Sequence, residues 1–226
     1  MASNRLKRAP GDEVGQPREG FPHSEGEAGA LEPHQAAQLL GDIPWEEVEA
    51  LTRLDHTDPH RILGAHPSGE DLVVRGFHPD ATRAWVLLEG GQRIPMLPCH
   101  PGGLFAALIR GGALPLPYRL CFGFSNGSTW EREDPYRFLP TLGELDLHLA
   151  SEGRHWNLHE RLGAHPRVME EVSGVAFALW APNARRVSLV GEFNMWDGRL
   201  SPMRCLGGSG IWEIFMPGIG PGELYK

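Results

Sequence analysis

The sequence predicts an all-β chain made of two tandem β-sandwiches, the second of them incomplete at its carboxyl end. One observation is an internal repeat with a spacing of 107 residues, in which Pro95-Met96, Gly103-Leu104-Phe105 and Tyr118 recur as Pro202-Met203, Gly210-Ile211-Trp212 and Tyr225. Another is a series of short apolar segments separated by turn residues, which is typical of β-sandwiches. Such a long repeat indicates duplicated domains, because solenoid repeats span about 20–50 residues.

The two copies differ in how far they extend. Each begins with the same four residues, at Gly64-Ala65-His66-Pro67 and at Gly163-Ala164-His165-Pro166. Twenty residues separate Tyr118 from Phe138 in the first copy, whereas a single residue follows Tyr225. An immunoglobulin-like sandwich takes about 100 residues, and the first copy has that space. The second is expected to lack its last strand pairing and to be the less stable of the two.

Composition excludes several classes of function. The net charge of −8 argues against nucleic acid as the main partner, because phosphate binding needs a basic surface. No run of 18 apolar residues is present, so no membrane partner is predicted. The three cysteines form no disulfide framework, which favours a reducing, cytoplasmic location.

The chain opens with a polar segment. Residues 1–40 are rich in Gly, Pro and charge and predict a disordered or weakly helical tail, with a short helix at 32–40 and without the apolar core of a signal peptide. A second helix is predicted from Asp42, with Pro44 in its first turn. Trp45, Val48 and Leu51 recur at helical spacing and predict its buried stripe.

Residues 41–140 are assigned to the first sandwich. Its predicted strands are 73–77, 84–88, 104–109 and 118–124, and Ser125-Asn126-Gly127 predicts a hairpin before Trp130. Residues 141–158 are assigned to a helical linker, in which Leu142, Leu145 and Leu149 share a face and Gly153 ends the helix.

Residues 159–226 are assigned to the second sandwich. The apolar run 175–181 predicts a strand whose hairpin partner is 186–190, across Pro182-Asn183-Ala184. A further strand is predicted at 210–216, and Leu224-Tyr225-Lys226 is expected to open the next one.

Residues 191–198 carry the main functional signal. The segment Gly191-Glu192-Phe193-Asn194-Met195-Trp196-Asp197-Gly198 follows a predicted strand, and its Asn, Asp and Gly predict a turn. An exposed indole in such a turn offers a flat surface on which the C–H face of a neutral sugar can pack, while nearby polar groups bind its hydroxyls. The alternative is a Trp196 side chain folded back into the core.

Several segments in order resemble known families. The 191–198 segment, preceded by Leu179-Trp180-Ala181-Pro182-Asn183-Ala184, resembles carbohydrate-binding module family 48. Asp58-Pro59-His60, Leu63-Gly64-Ala65-His66 and the linker residues His155-Trp156 are similar to the front part of bacterial glycogen branching enzymes, which belong to glycoside hydrolase family 13. The resemblance covers residues 55–226.

This resemblance implies a role in glycogen biosynthesis. The family cuts an α-1,4-glucan and transfers the piece to form an α-1,6 branch, with catalytic carboxylates in a C-terminal (β/α)8 barrel. Such a barrel needs about 250 residues of alternating strand and helix, so it is absent from this chain and no catalytic residue is assigned. The main alternative is a stand-alone glucan-binding or regulatory module without catalysis. A weaker one is an adhesion domain, which would carry a Cys…Trp…Cys pattern.

The resemblance also implies the binding residues and the partners. Trp196, Asn194 and Lys226 are the candidate carbohydrate-binding residues, with α-1,4-glucan (glycogen or maltooligosaccharide) and the missing barrel as partners. The alternative for Lys226 is a frayed terminal residue. The first copy has Glu89-Gly90-Gly91 near the corresponding turn and no Trp there, which predicts a packing domain.

No cofactor and no metal are predicted. His56, His60 and His66 lie close together in sequence. Because Gly-Ala-His-Pro recurs in both copies, the motif is interpreted as a structural turn at the entrance of each sandwich and not as part of a metal site.

Overall fold

The computed structural model describes residues 33–226, so most of the predicted tail lies outside the described residues. Its three α-helices are α1 (Pro33–Leu40), α2 (Trp45–Thr52) and α3 (Glu144–Ser151). None of the described helices is long and apolar enough to cross a membrane. Eleven strands make the described part of the chain all-β, as predicted: β1 (Gly64–Ser68), β2 (Asp71–Phe77), β3 (Arg83–Leu88), β4 (Arg93–His100), β5 (Leu104–Ile109), β6 (Tyr118–Gly123), β7 (Thr129–Glu133), β8 (Gly163–Met169), β9 (Val172–Trp180), β10 (Arg204–Cys205) and β11 (Ile211–Pro217).

The first copy is one antiparallel sheet that curls on itself. Its strand order is β1-β2-β5-β4-β3-β6-β7. The curl is made by β4, whose residues 93–96 pair with β3 while residues 97–100 pair with β5. A register shift between Pro98 and His100 interrupts the second pairing. Such irregularities bend a strand, and here the bend lets the two halves of the sheet face each other across a core.

Two apolar cores lie on opposite sides of β2 and β5. Between the halves of the curled sheet the buried residues include Leu72, Val74, Val86, Phe105, Leu120 and Phe122. On the other side α1 and α2 pack against Val73, Leu104 and Ala106. The buried Arg75 side chain donates hydrogen bonds to the carbonyls of Leu39 (3.0 Å) and Leu40 (3.2 Å) at the end of α1. These carbonyls have no partner within the helix, so Arg75 fixes α1 on the sheet.

The second copy repeats the strand order of the first. Its sheet, β8-β9-β11-β10, corresponds to β1-β2-β5-β4. Two isolated bridges continue the correspondence. Ser188 pairs with Pro202 as Trp85 pairs with Pro95, and Gly191 pairs with Tyr225 as Leu88 pairs with Tyr118. The equal strand order is what a duplication predicts.

Local geometry is also shared. Gly64 and Gly163 have φ of 97° and 102°. His66 Nε2 donates to the Leu63 carbonyl at 2.9 Å, and His165 Nε2 donates to the Leu162 carbonyl at 2.8 Å. Each Gly-Ala-His-Pro motif therefore forms the first residues of an edge strand, β1 or β8, and the prediction of a turn was wrong. Edge strands tolerate the prolines because one side of the strand needs no N–H donor.

Two other expectations were wrong. Residues 186–190 are not the hairpin partner of β9, which pairs with β8 and β11; they form bridges to Pro202 and to the end of the chain. Trp45 does not belong to the buried stripe of α2, since only Val48 and Leu51 of that set are buried. The Trp45 ring is half exposed and lies 4.9 Å from the His100 ring.

The two copies meet at a buried ion pair. Glu213 on β11, 1% exposed, accepts hydrogen bonds from Arg204 on β10 and from Thr141 of the linker. Nearby, the Tyr136 hydroxyl donates to the Pro202 carbonyl (3.2 Å), and the Cys205 N–H donates to the Thr57 carbonyl (2.7 Å). These contacts join the first copy and the linker to the second sheet.

We expect Gly103→Ala to destabilise the protein more than Gly111→Ala. Both glycines have positive φ, 100° and 63°, and a left-handed residue other than glycine costs about 1–2 kcal/mol. At Gly103 a Cβ would also meet the His78 carbonyl, whereas at Gly111 nothing lies within 4 Å. The clash should lower the free energy of unfolding, measured with urea, by about 1–3 kcal/mol more in Gly103→Ala than in Gly111→Ala. Equal losses in the two variants would contradict the close approach of Gly103 to His78.

Candidate functional site

The turn that connects residue 190 to Leu200 carries the candidate site. A short 3-10 helix, Glu192–Asn194, begins it. The Asp197 N–H then donates to the Asn194 carbonyl (3.0 Å), and the Leu200 N–H donates to the Asp197 carbonyl (3.1 Å). Trp196 is 45% exposed on this turn, in agreement with the exposed alternative. We call residues 191–200 the Trp196 turn.

The backbone of the Trp196 turn is strained. Met195 and Trp196 have φ of 57° and 59°, the left-handed region that a bulky residue rarely adopts. Each such residue costs about 1–3 kcal/mol and persists only where its surroundings hold it. The Trp196 N–H donates to the Gly191 carbonyl at 2.8 Å, which closes the turn. The strained geometry turns an apolar indole toward solvent.

Asn194 holds this geometry from inside. Its side chain is fully buried; Oδ1 accepts from the Gly191 N–H (3.0 Å), and Nδ2 donates to the Leu189 carbonyl (2.9 Å) and to Ser201 Oγ (3.1 Å). The side chain presents no polar atom to solvent. The structure thus gives Asn194 a place beneath the turn, where it supports the backbone that positions Trp196.

Lys226 lies at the base of the same turn. Its backbone N–H and carbonyl exchange hydrogen bonds with Val190, at 2.8 and 2.9 Å. Neighbouring Tyr225 is 47% exposed, and its ring lies 4.9 Å from the Phe177 ring. The structure therefore brings Lys226 next to Val190, the residue that precedes the turn. Because its backbone groups are paired, Lys226 is not frayed, in contrast to the alternative prediction.

An ionic cluster beside Trp196 was not predicted from the sequence. Arg199 binds Asp197 within the turn, with Nε to Oδ2 at 3.0 Å and a second nitrogen at 2.7 Å. It also reaches Asp80, in the loop between β2 and β3 of the first copy, at 2.8 and 3.3 Å. Hydrogen bonds from Arg199 lower the pKa of Asp197, so its carboxylate stays charged. No sequence pattern points to a contact across 119 residues.

His78 lies behind Asp80 in an apolar setting. Its ring contacts those of Phe122, Phe124 and Trp130, and Nδ1 accepts from the Asp80 N–H at 3.2 Å. Burial lowers the pKa of His78 to about 4, which keeps the ring neutral at pH 7. A neutral ring is the form in which Nδ1 can accept this hydrogen bond.

Exposed aromatic side chains also occur outside the turn. Trp180 at the end of β9 is 63% exposed, and Trp156 in the linker is 88% exposed. A separate cavity of about 220 Å³ is lined by Phe177, Leu189 and Met203 together with Tyr225 and Lys226. Trp196 differs from Trp156 and Trp180 because a strained turn and a hydrogen-bond network set its position.

Comparison with known families matches both copies. Residues 44–136 match the family described as the N-terminal domain of alpha-1,4-glucan branching enzyme GlgB. Residues 161–226 match carbohydrate-binding module 48, the isoamylase N-terminal domain. The second match contains the whole Trp196 turn.

Two similar proteins share the name 1,4-alpha-glucan branching enzyme GlgB. The chain is 50% identical over 186 residues to the 1,4-alpha-glucan branching enzyme GlgB of Cereibacter sphaeroides, which covers 81% of the chain and 25% of that protein. It is 51% identical over 192 residues to the enzyme of the same name from Frankia casuarinae, covering 82% of the chain and 23% of that protein. The chain thus spans about a quarter of the length of these relatives. A solved pullulanase of Paenibacillus barengoltzii, complexed with maltotetraose, is similar over 33% of the chain and 12% of that protein, at 25% identity and a TM-score of 0.28.

We expect the stability of the protein to fall as the pH drops from 6.5 toward 4. The His78 pKa is lower in the folded state than its ordinary value of 6.5. As the pH falls, the unfolded state therefore binds the proton before the folded state does. The free energy of unfolding should be about 2 kcal/mol lower at pH 5 than at neutral pH. Burial also lowers the pKa of His60 and acts in the same direction.

His78→Asn tests the contribution of His78, since an Asn oxygen can accept the Asp80 N–H and does not titrate. Urea unfolding gives the free energy of unfolding at each pH. Between pH 4.5 and 6, this free energy should change with pH by about 1 kcal/mol per pH unit less in the variant than in the wild type. His159→Asn, at an exposed position, is the control. An unchanged slope in His78→Asn would contradict the assignment.

Proposed function

We propose that this chain is the portion of a 1,4-alpha-glucan branching enzyme that binds and positions glucan. The proposal rests on the family to which the chain belongs, since residues 44–136 and 161–226 match the two N-terminal domains described above. The whole enzyme would transfer α-1,4-glucan segments to form α-1,6 branches in glycogen biosynthesis. We further propose a cytoplasmic location and a catalytic domain of glycoside hydrolase family 13 as its partner.

The exposed Trp196 indole is the observation that supports this proposal. A sugar ring presents axial C–H groups that pack on an aromatic face. For comparison, the contact between two aromatic side chains contributes about 0.5–1.5 kcal/mol beyond the burial of area. The indole is 45% exposed and lies on the left-handed turn within the matched carbohydrate-binding module. Strain kept at one exposed aromatic residue is typical of ligand-binding sites.

Charge around Trp196 fits a neutral ligand. The charges of Arg199, Asp197 and Asp80 neutralise one another in part, because one guanidinium contacts two carboxylates. Asp197 and Arg199 can exchange hydrogen bonds with sugar hydroxyls, since the carboxylate accepts and the guanidinium donates. Lys226 adds a cation at the base of the turn. A maltooligosaccharide would thus meet an aromatic platform with polar groups at its border.

We expect the purified 226-residue chain to form no α-1,6 linkages. Retaining glycoside chemistry needs two carboxyl groups about 5 Å apart in a cleft, and residues 33–226 hold no (β/α)8 barrel that could present them. Incubation with amylose, followed by debranching and chain-length analysis, measures this, with the Cereibacter sphaeroides enzyme as positive control. New α-1,6 linkages made by the chain alone would contradict the proposal that this chain binds glucan while a separate domain carries the catalysis.

We expect the wild-type chain to bind maltoheptaose weakly in calorimetry and in glycogen affinity electrophoresis, and we expect Trp196→Ala to abolish this binding. The loss follows from removal of the stacking surface. Trp196→Phe should keep part of the affinity, because a smaller aromatic face remains.

Trp156→Ala and Trp180→Ala are the matched controls, since both indoles are more exposed than that of Trp196 and lie outside the turn. They should bind maltoheptaose as the wild type does. If Trp180→Ala abolishes binding while Trp196→Ala does not, the sugar lies at the end of β9 and the proposed site is wrong.

A further inference from the structure

We propose that Asp80 of the first copy is a positioning residue for the Trp196 turn of the second, and that it acts through Arg199. The first copy would then form part of the glucan site without touching the sugar. This inference rests on the proposed function, because it assigns a partner element to the same site. It concerns the contact between the two copies, which the family match of either copy does not describe.

The geometry of Arg199 carries the proposal. The guanidinium places two nitrogens on the two Asp80 oxygens, at 3.3 and 2.8 Å, and contacts Asp197 at 2.7 and 3.0 Å. A planar guanidinium bound to both oxygens of a carboxylate fixes orientation as well as distance. Asp197 directly follows Trp196, so the orientation of Arg199 is transmitted to the strained part of the turn.

Asp80 stands on a rigid support. Its N–H donates to His78 Nδ1 (3.2 Å), and the His78 N–H donates to the Gly103 carbonyl (2.9 Å). On the other side of the loop, the Thr82 N–H donates to the Gly123 carbonyl at 2.8 Å. The loop is thus tied to two strands of the curled sheet, and Asp80 offers a fixed anchor.

Little else from the first copy holds the turn. Among the hydrogen bonds of residues 33–226, the two from Arg199 to Asp80 are the only ones that join the first copy to residues 191–200. Beside them a cavity of about 340 Å³ is lined by Leu54 of the first copy and by Arg186, Ser188, Gly198 and Arg199 of the second. The two copies are therefore not closely packed at this place, and the ionic contact connects them.

Asp80→Asn tests the proposal in the full 226-residue chain. Because the side chains of Asp80 and Arg199 are 59% and 45% exposed, the contact is partly screened by solvent. We expect maltoheptaose to bind about two- to fivefold more weakly, as for an exposed ion pair. Hydrogen exchange should become faster in residues 191–200, and Asp80→Glu should restore part of the affinity.

Salt supplies a readout that general destabilisation would not move. Maltoheptaose is neutral, so salt can weaken its binding only through charges within the protein. The wild-type dissociation constant should rise between 0.05 and about 0.5 M NaCl, where an exposed ion pair is screened. That of Asp80→Asn should rise less.

Asp71→Asn is the matched control, because Asp71 also accepts a backbone hydrogen bond in the first copy, from Gly111, but lies on a different loop. It should change neither affinity nor exchange in the Trp196 turn. Wild-type affinity and exchange in Asp80→Asn, together with lost binding in Trp196→Ala, would overturn this proposal and leave the glucan site intact. Unchanged binding in Trp196→Ala would overturn the glucan site and this proposal with it.

Discussion

The buried ion pair between Arg204 and Glu213 is the interaction on which the arrangement of the two copies depends. A buried charge that lacks partners costs several kcal/mol, so each charged group must be satisfied where it lies. Here one Glu213 oxygen accepts from Arg204 and the other from the backbone and hydroxyl of Thr141, at 2.9 and 2.6 Å. Arg204 also donates to the Phe138 carbonyl at 3.4 Å. If the linker left this path, one Glu213 oxygen would lose both of its partners in the interior, and this cost favours the observed path over the second sheet. With the linker fixed, the first copy is held where Asp80 can reach Arg199.

Much of the fold could be predicted because the repeat is visible in residues that the sheet needs. The pair Tyr118 and Tyr225 starts equivalent strand pairings, and Gly103 and Gly210 occupy positions where the backbone of another segment approaches closely. Three of the strands that were missed, β1, β4 and β8, contain proline, which lowers the sequence signal for a strand. Their prolines lie on edges or at a bend, and only the tertiary arrangement reveals those positions. Trp45 was misplaced for a related reason, since helical spacing shows that residues share a face but not that each of them is covered.

Some features of the candidate site could likewise be predicted from the local sequence, whereas others depend on the tertiary structure. The turn that carries Trp196 follows from local chemistry, because Asn and Gly at 194 and 198 predict a tight connection, but this chemistry left open whether the indole faces solvent or the core. The place of Asn194 does not follow, since an Asn in a turn can face the solvent or the backbone, and here three hydrogen bonds draw it inward. The contact between Asp80 and Arg199 could not be predicted at all. It requires the relative placement of two sheets, and that placement is set by the linker and the buried ion pair.

The two copies have different connections at the same position of the fold. Where the second copy has the Trp196 turn, the first has the short connection Glu89-Gly90-Gly91, with two glycines at positive φ and nothing packed around them. Trp85 lies on the strand that precedes this connection, and the Arg93 guanidinium covers it at 3.9 Å from the ring centre. The first copy therefore exposes no indole at this position, whereas the second places one in solvent at the expense of two left-handed residues. Such strain has to be offset by contacts made elsewhere. Asn194 provides these from within the second copy, and Asp80 provides them from the first, so that a duplicated scaffold supports a site that a single copy would hold less firmly.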